Sequence, residues 1–574
     1  MLVNECSEAH IVVREEYGWK IYQSNNIKLW FCGYLDDISI EDLSTKIVHI
    51  VDNNLDNSIV LDWVNSLHGH FALVIEYKSF VIALVDKICS IPLFFSKKNS
   101  GILISNYAPS LKKECRPDDS LLDKQAELEI SMSGYAIGGK TLCRGIERLE
   151  SGECLICYSG LLYREYYYTY SPWKTITKSE SQLQSEFSSV CLTIFKKIKD
   201  SVGSRQIVVP LSAGNDSRLI VSGLKKVGVK NVVCFSYGRK GNFEAPISKV
   251  IADKLGYKWI YIPDILNDKQ HFFQSKVYRE YVDAFESFSS IPNIQEIYEI
   301  SLLKKTNLID DNAVIINGNS GDFISGGHIR STSDIKLSPK TIDEINWNKF
   351  LDKHYSLWGD LRETVNDECI ISELKSVLSS RIRELVDFKK YHYAMMECSE
   401  CIGRQSKMVT SQQRTYEYFG YEWRLPLWSD EMLNFWESVS YEYKVDQCLY
   451  IKTLRENNWG DVWLGIEVNN KIIHPIYLRW LRILLKVLFI PIGKSRWRRF
   501  EKNVFEYFLH PSYALAPTPY FRILFDSRGY RNIASWLSYK MLESNDIKDV
   551  VKRQCCNTPK TKPFISRKLK TKIY

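Results

Sequence analysis

The segment 210–217, with the sequence PLSAGNDS, combines small residues and a carboxylate where an apolar strand is predicted to end. An amphipathic helix is predicted directly after it, so the segment would join a strand to a helix. Small residues let a ligand approach the backbone, and the free N–H groups and dipole of a helix start attract phosphate. Asp216 would repel this phosphate unless a divalent cation lay between them, which favours Mg²⁺. The alternative is a turn in which Asp216 and Ser217 only cap the helix.

A second glycine-rich turn, 318–322, follows a strand predicted over 313–317 and ends in Asp322. In a parallel sheet, both turns would emerge at the carboxyl edge, where ligands bind. We therefore expect Asp216 and Asp322 to hold one Mg²⁺–pyrophosphate unit from two sides. These two carboxylates are the predicted metal ligands.

Two different patterns of apolar residues along the chain predict the strands and helices that position these turns. Residues 1 to about 170 contain many short β segments separated by turn residues, with few helical patterns, which predicts a predominantly β layered domain. From residue 205, strands alternate with helices, which predicts right-handed crossovers and a parallel sheet. A polar connector around 165–185 marks the boundary, and the pattern is largely helical beyond about 340.

The composition is that of a folded protein with two or three domains. Hydrophobic residues make up 45% and charged residues 25% of the 574 residues, which leaves little room for disorder. The first residues are rich in glutamate and contain no apolar core of a signal peptide, so the protein is expected in the cytoplasm. The 15 cysteines are scattered, which favours a reducing compartment. A net charge of +8 is modest for this length, so no nucleic-acid partner is predicted.

On these motifs the chain resembles the asparagine synthetase family over about four fifths of its length. Residues 205 to about 460 are similar to the synthetase domain, whose pyrophosphate loop reads Ser-Gly-Gly-x-Asp-Ser and whose second metal loop is a glycine-rich turn ending in Asp. Two further segments of this part, 234–238 and 424–427, also match the family. The segments that resemble its N-terminal glutaminase domain are 67–72, 85–95 and 145–152.

The resemblance implies an α/β architecture in three parts. A glutaminase-like, Ntn-type layered α+β domain would cover 1–175. A PP-loop domain of the adenine nucleotide α-hydrolase-like type, with a doubly wound parallel sheet, would cover 185–465, and a basic, helical C-terminal extension would cover 466–574. ATP and Mg²⁺ are the implied cofactors, and Lys452 and Arg455 the implied catalytic residues. The implied ATP- and pyrophosphate-binding residues are Pro210, Ser212, Gly214, Asp216, Ser217, Tyr237, Gly238, Asn317 and Gly318.

Three departures from the family pattern affect the chemistry. Glutamine-hydrolysing members carry a cysteine directly after Met1, whereas this chain has Leu2, so the first domain is predicted to lack glutaminase activity. Cys6 could act only after a further cleavage that exposes it. Asn319 stands where asparagine-forming members have a glutamate, and an amide cannot take a proton as a carboxylate can. Lys452 lies one residue closer than usual to the following Leu-Arg pair, and a surface lysine is the alternative.

The predicted reaction is adenylation of a carboxylate followed by displacement of AMP by nitrogen. The acceptor would be a small-molecule carboxylate, and similar relatives suggest a sugar acid for a bacterial surface polysaccharide. Nitrogen would come from ammonia, from a separate glutaminase or from an amine on another substrate. Two alternatives stay open: an amide-ring-forming cyclase of a peptide or small metabolite, and a non-catalytic scaffold that keeps the fold.

The segment 471–500 combines apolar residues with cations. Arg479, Arg482 and Lys486 fall on one side of a predicted helix, which Pro491 ends. Embedded charges and insufficient length argue against a spanning helix. One interpretation is a helix packed on the synthetase domain with its arginines in solvent. The other is an interfacial helix in peripheral contact with anionic lipid at the inner face of the membrane.

Overall fold

The computed structural model describes residues 2–5, 8–24, 26–53, 56–98, 101–114, 122–333, 337–468, 476–491, 493, 496–497, 500–501, 504–505, 517–545 and 547. Cys6, the alternative nucleophile, lies outside these ranges, and the predicted extension 466–574 is described only in part.

Within its described residues, the first region contains eleven strands and four helices. The strands are β1 (Leu2–Glu5), β2 (Glu8–Val12), β3 (Lys20–Ser24), β4 (Ile27–Leu35), β5 (Gly69–Tyr77), β6 (Phe80–Val85), β7 (Phe94–Lys98), β8 (Gly101–Ser105), β9 (Ile146–Arg148), β10 (Glu153–Tyr158) and β11 (Leu161–Tyr166). The helices are α1 (Ile40–Asn53), α2 (Asn57–Asn65), α3 (Ala108–Glu114) and α4 (Lys124–Ser133). A seven-stranded antiparallel sheet has the order β1-β11-β10-β6-β5-β4-β3, and a four-stranded mixed sheet has the order β2-β8-β7-β9.

Alternation of apolar side chains along the strands explains why this region stacks in layers. In β4, Leu29 and Phe31 pack with α1 and α2, whereas Trp30 and Cys32 belong to the core between the two sheets. In β8, Leu103 points to the other side and packs with α3 and α4. The layers therefore run helix, sheet, sheet, helix, and the layered α+β architecture expected from the sequence is confirmed.

The second region is built on a five-stranded sheet in which all neighbouring strands are parallel. Its strands are β12 (Ile207–Pro210), β13 (Val232–Gly238), β14 (Lys258–Pro263), β15 (Val314–Ile316) and β16 (Glu422–Arg424), in the order β14-β13-β12-β15-β16. The chain winds outward from β12 to β14 and then crosses back to β15, so the direction of winding reverses between β12 and β15. This is the doubly wound parallel sheet that the sequence predicted.

Helices surround this sheet and make up most of the chain beyond it. They are α5 (Glu180–Val202), α6 (Asn215–Lys226), α7 (Glu244–Leu255), α8 (Leu266–Gln274), α9 (Lys276–Ala284), α10 (Ile297–Lys305), α11 (Gly321–Ile324), α12 (Ile329–Thr332), α13 (Asn348–His354), α14 (Thr364–Arg381), α15 (Phe388–Glu400), α16 (Gln413–Tyr418), α17 (Asp430–Ser438), α18 (Tyr441–Lys444), α19 (Cys448–Asn457), α20 (Ile476–Leu488), α21 (Tyr520–Leu524) and α22 (Ile533–Ser544). A π-helix over Cys401–Val409 continues directly from α15.

The structure adds helix to the N-terminal region, where few helical patterns were expected. In α1 the buried residues Leu43, Ile47 and Ile50 recur at helical spacing, but β-branched residues such as isoleucine also favour strands. The C-terminal part differs too, because Trp536 and Leu537 of α22 pack into cores shared with α4 and α15. Part of the predicted extension is therefore integrated with the preceding regions.

One partly buried and one fully buried ion pair join the two regions. Lys87 Nζ lies 3.0 Å from Asp430 Oδ2, and Arg381 Nη2 lies 3.1 Å from Glu150 Oε2. Lys87 and Glu150 belong to segments that resemble the glutaminase domain. In this structure those segments hold the layered region against helices of the second region, α14 and α17.

Candidate functional site

A cavity of about 480 Å³ lies at the carboxyl edge of the parallel sheet, beside the reversal between β12 and β15. Open α/β sheets bind ligands at this position because crossovers that diverge leave a crevice between their loops. The loops that follow β12 and β15, together with the end of β13, line the cavity. Its volume is within the usual range for sites of nucleotide-sized ligands.

Most of the site residues predicted from the sequence line this cavity together. Gly238 ends β13 next to Tyr237 and is not among the lining residues. Lys452 and Arg455 are also outside the lining. The predicted residues that line it are Pro210, Ser212, Gly214, Asp216, Ser217, Tyr237, Asn317, Gly318 and Asp322.

Hydroxyl groups hold the first loop in its turn. The Ser212 hydroxyl accepts a hydrogen bond from the N–H of Gly214 at 3.1 Å, and it lies 3.0 Å from the Ser217 hydroxyl. The Ser217 hydroxyl also accepts from the N–H of Ser212 at 3.1 Å. Behind the loop, the buried Arg218 guanidinium donates to the carbonyl of Ala213 at 3.0 Å. The loop therefore presents the start of α6 to the cavity, which suits a phosphate group.

Asp216 and Asp322 meet across the reversal of winding. The backbone N–H of Asp322 donates to Asp216 Oδ2 at 3.0 Å, and the Tyr450 hydroxyl donates to Asp216 Oδ1 at 2.9 Å. Burial, and then the negative charge of Asp322, raise the pKa of Asp216 to about 7. A cation between the carboxylates would relieve this repulsion. The pair is thus suited to a metal that bridges to a ligand phosphate.

A charged histidine stands beside Asp322. His328 Nε2 lies 3.2 Å from Asp322 Oδ2, and its Nδ1 lies 2.8 Å from Glu400 Oε1. Burial alone would lower the pKa of His328, but its hydrogen bonds with the two carboxylates outweigh burial and raise the pKa to about 9. His354 Nε2 lies 3.0 Å from Glu400 Oε2, and burial lowers its pKa to about 4. His328 therefore supplies a positive charge at this edge of the cavity.

Polar side chains support the second loop from behind. Asn319 Nδ2 donates to Gln412 Oε1 at 2.8 Å, and the Ser320 hydroxyl donates to Gln405 Oε1 at 2.6 Å. Gln405 lies in the π-helix, and its amide donates to Glu400 at 2.9 Å. Wide helical turns of this kind are frequent at functional sites. Asn319 is thus held by a neutral amide.

Tyr237 and Glu296 form the wall beside β13. The Tyr237 hydroxyl lies 3.4 Å from Glu296 Oε1, and the Tyr416 hydroxyl donates to Glu296 Oε2 at 2.7 Å. Burial raises the pKa of Glu296 to about 7. Beneath this wall, Lys269 Nζ lies 5.6 Å from the centre of the Tyr237 ring.

The charge of the cavity favours a nucleotide that carries its own cation. Four carboxyl side chains line it, and the described lining residues include no Lys, Arg or His. A free polyphosphate would be repelled, whereas a polyphosphate with bound Mg²⁺ would bring the cation to Asp216 and Asp322. No cluster of three or more His, Cys, Asp or Glu side chains suited to a metal occurs within the described ranges. A two-carboxylate site completed by phosphate and water therefore fits Mg²⁺ better than an all-protein metal centre.

The structure places Lys452 away from the cavity, although the family pattern implied a catalytic role. Its Nζ lies 2.9 Å from Glu180 Oε1, and 49% of its side chain is exposed. Tyr450, on the same helix, points inward to Asp216. Because successive helix residues turn by about 100°, Lys452 points roughly 200° away from Tyr450. Lys452 therefore forms a surface ion pair, and Arg455 on this helix is exposed as well.

Sequence reasoning missed three side chains that contact the two carboxylates or their neighbours. His328 had a local signal, because it directly follows the Gly326-Gly327 pair of the second loop. Glu400 and Tyr450 had none, because they come from distant helices that tertiary packing brings to the loops.

Gly321 leaves room for Asp216, which allows a direct test of the site. A Cβ added at Gly321 would lie 2.5 Å from Asp216 Oδ1 and 2.7 Å from Leu427 Cδ1. We expect Gly321→Ala to displace the Asp216 carboxylate and to lower Mg-ATP affinity at least about 10-fold, at a cost in stability of about 1–3 kcal/mol. Calorimetric titration and thermal unfolding measure the two effects. Gly359→Ala is the control, since its Cβ would come no closer than 3.2 Å to the nearest atom; equal affinities in the two variants would contradict the prediction.

Comparison with known proteins gives weak matches. No protein-family model matches the chain, and no curated protein matches it. An NH3-dependent NAD synthetase from Campylobacter jejuni is 18% identical, with a TM-score of 0.18, over 26% of this chain and 60% of that chain. A glutamine phosphoribosylpyrophosphate amidotransferase from B. subtilis is 9% identical, with a TM-score of 0.17, over 68% of this chain and 79% of that chain. The present chain thus spans 60% of the length of the NAD synthetase that it matches.

Proposed function

We propose that this protein is an asparagine-synthetase-like, ATP-dependent ligase that adenylates a carboxylate and transfers nitrogen to it. The observation that carries the proposal is the contact of Asp216 with Asp322 at the reversal point of a doubly wound parallel sheet. A phosphate-type loop, two neighbouring aspartates and a nucleotide-sized cavity occur together there. The likeness of its motifs to the family supports the finer assignment.

In the proposed reaction, an oxygen of the acceptor carboxylate attacks the α-phosphorus of ATP, and the bond from that phosphorus to pyrophosphate breaks. Nitrogen then attacks the acyl carbon, loses a proton, and displaces AMP. Bound Mg²⁺ would neutralise the charge that develops on the pyrophosphate. The loop 210–217 would hold the pyrophosphate through its N–H groups, while Asp216 and Asp322 would hold the metal.

The side of the site proposed for the acceptor is that of His328 and its neighbours. His328 carries positive charge beside Asp322. Lys353 lies within electrostatic range of Glu400, Arg404 and Asp322, and burial lowers its pKa to about 8. We propose that these cations attract an acidic acceptor, such as a sugar acid of a bacterial surface polysaccharide. The cyclase of a peptide or small metabolite is the alternative for the same site.

Pyrophosphate release tests the proposal against the scaffold alternative. Purified protein would be mixed with Mg-ATP, ammonium and a panel of uronic acids and nucleotide-linked uronic acids. Pyrophosphate and AMP formed in equal amounts, and only with an acceptor, would support the ligase. Mg-ATP binding without turnover would reject the tested acceptors, and absence of Mg-ATP binding would reject the ligase itself.

We expect ammonium, and not glutamine, to support this reaction. Leu2 stands in the position of the family's nucleophile, and the cysteines described within 2–166 are buried. Burial raises the pKa of the thiols of Cys32, Cys89 and Cys154, so none of the three is a reactive thiolate. The measurement is glutamate released from glutamine, with a separate glutaminase added as the positive control. Release of glutamate by the purified protein alone would contradict this prediction.

A further inference from the structure

Helix α20 has three faces with different surroundings. The first face packs with Trp497 and neighbouring apolar residues into a small cluster. It contributes Leu478 and Leu485, and Phe489, which directly follows the helix, joins them. The second face carries the basic residues of the helix. The third face is wide and apolar, and it is exposed to solvent. The residues of that exposed face are Tyr477, Trp480, Leu481, Leu484, Val487 and Leu488.

The exposed face is larger and more apolar than a helix in water normally presents. Tyr477 is 69% exposed, and Trp480 and Leu484 are each 65% exposed. The six residues recur at spacings of three and four, so they form one continuous stripe along the helix. The interpretation in which this helix packs its apolar face on the synthetase domain is therefore wrong for these six residues. Contiguous exposed apolar patches of this kind mark surfaces that bind a partner or a membrane.

Charge complementarity indicates what covers this face. Arg479 and Lys486 are exposed on the opposite side of α20. In the sequence, residues 551–574 contain eight basic residues and no acidic ones: Lys552, Arg553, Lys560, Lys562, Arg567, Lys568, Lys570 and Lys572. These eight positive charges equal the formal net charge of the whole chain, +8, so the remaining residues carry equal numbers of basic and acidic side chains. An apolar helix face and a polybasic segment are two signals that act together on an anionic lipid surface.

Two other occupants fit less well. A helix of 13 residues is about 20 Å long and about 10 Å wide, so its face offers roughly 200 Å², against the roughly 800 Å² per partner of a stable protein interface. Insertion across a membrane is also unsuited to it. No helix in the described part of the chain is long and apolar enough to cross a bilayer.

We propose that α20 lies in the plane of an anionic membrane surface and inserts Tyr477, Trp480 and Leu484 between the lipid headgroups. Aromatic side chains with a polar group, such as those of Tyr477 and Trp480, prefer this depth because their rings are apolar and their polar atoms contact water. Arg479 and Lys486, on the opposite side of the helix, would face the water just above the headgroups and be attracted by the anionic surface. The inference is independent of the ligase activity proposed above.

Co-sedimentation of the full chain with lipid vesicles tests the inference. We expect binding to vesicles with about 30% phosphatidylglycerol in phosphatidylcholine, and much weaker binding to phosphatidylcholine alone. Trp480→Glu/Leu484→Glu should weaken binding to the anionic vesicles at least about 10-fold, because it removes two inserted side chains and adds negative charge. Leu385→Glu is the matched control, since Leu385 is exposed in a loop far along the chain from α20.

The outcomes separate the possible occupants. Binding lost in the double variant and kept in Leu385→Glu supports the membrane assignment, and circular dichroism checks that both variants are folded. Unchanged binding of the double variant would overturn it, as would failure of the unmodified protein to bind anionic vesicles. Self-association that the double variant abolishes, without any vesicle binding, would assign the face to a second copy of the chain.

Discussion

Asp216→Asn is expected to lower Mg-ATP affinity at least about 10-fold and pyrophosphate release at least about 100-fold. Asp216 is the carboxylate at the start of α6, and both of its oxygens already accept hydrogen bonds, from Asp322 N–H and from Tyr450. Asparagine keeps the shape but removes the charge that would hold a cation. The cavity lining contains no Lys, Arg or His among its described residues, so the cation held by Asp216 and Asp322 would be the main charge that offsets the phosphates.

This loss of function should occur without a loss of stability. Burial and the charge of Asp322 raise the pKa of Asp216 to about 7. The ionised carboxylate therefore lowers the stability of the folded protein. Removing the charge should leave thermal stability equal or higher, a pattern typical of functional residues.

The control is Asp253→Asn, which removes an exposed carboxylate from an ion pair with Lys249 on α7. Calorimetric titration with Mg-ATP and a coupled pyrophosphate assay measure the two effects. Unchanged Mg-ATP affinity in Asp216→Asn, together with normal folding, would remove Asp216 from the proposed metal site.

Lys269→Met is expected to lower the free energy of unfolding by about 3–5 kcal/mol. Lys269 is completely buried between two carboxylates, with Nζ 2.6 Å from Asp264 Oδ1 and 2.5 Å from Glu299 Oε1. Methionine fills a similar volume but leaves both acids buried without this cation. The triad lies beneath the Tyr237 wall, so the cavity beside this wall should become less stable as well.

The loss should depend on pH in a defined direction. Burial raises the pKa of Glu299 even beside Lys269, and without that cation the protonated form of Glu299 would be favoured further, so folding of the variant would bind protons. A group whose pKa is raised by folding contributes stability below the unfolded pKa, and that contribution is lost as pH rises. For Asp and Glu the unfolded pKa is about 4, so the deficit of the variant should grow from about pH 4 toward neutrality.

Denaturant unfolding at several pH values measures this deficit. Lys249→Met is the matched control, because Lys249 forms an exposed pair with Asp253 and surface pairs contribute about 0–1 kcal/mol. Adding Glu299→Gln to Lys269→Met should recover part of the stability at neutral pH. A deficit that is small, or that does not change with pH, would show that the triad does not need its cation.

The two loops could be predicted from the sequence because their signals are local. Segment 210–217 and Asp322 each follow an apolar strand and consist of small residues at a strand-to-helix turn, which is a pattern of consecutive residues. The parallel sheet and its carboxyl edge followed from the alternation of strands and helices. Helix α1 was harder to predict from the sequence, because isoleucine is common both in strands and on the buried face of a helix.

The sequence by itself determined which residues form the two loops rich in small residues at the carboxyl edge of the sheet and that Asp216 and Asp322 would lie close together there. Only the tertiary structure decided what surrounds those carboxylates. Tyr450 reaches Asp216 and Glu400 reaches His328 from helices far away in sequence, and such contacts depend on packing and leave no local pattern. Packing also turned Lys452 outward and left the apolar face of α20 uncovered, because the direction of a helical side chain is fixed by which face its neighbours bury.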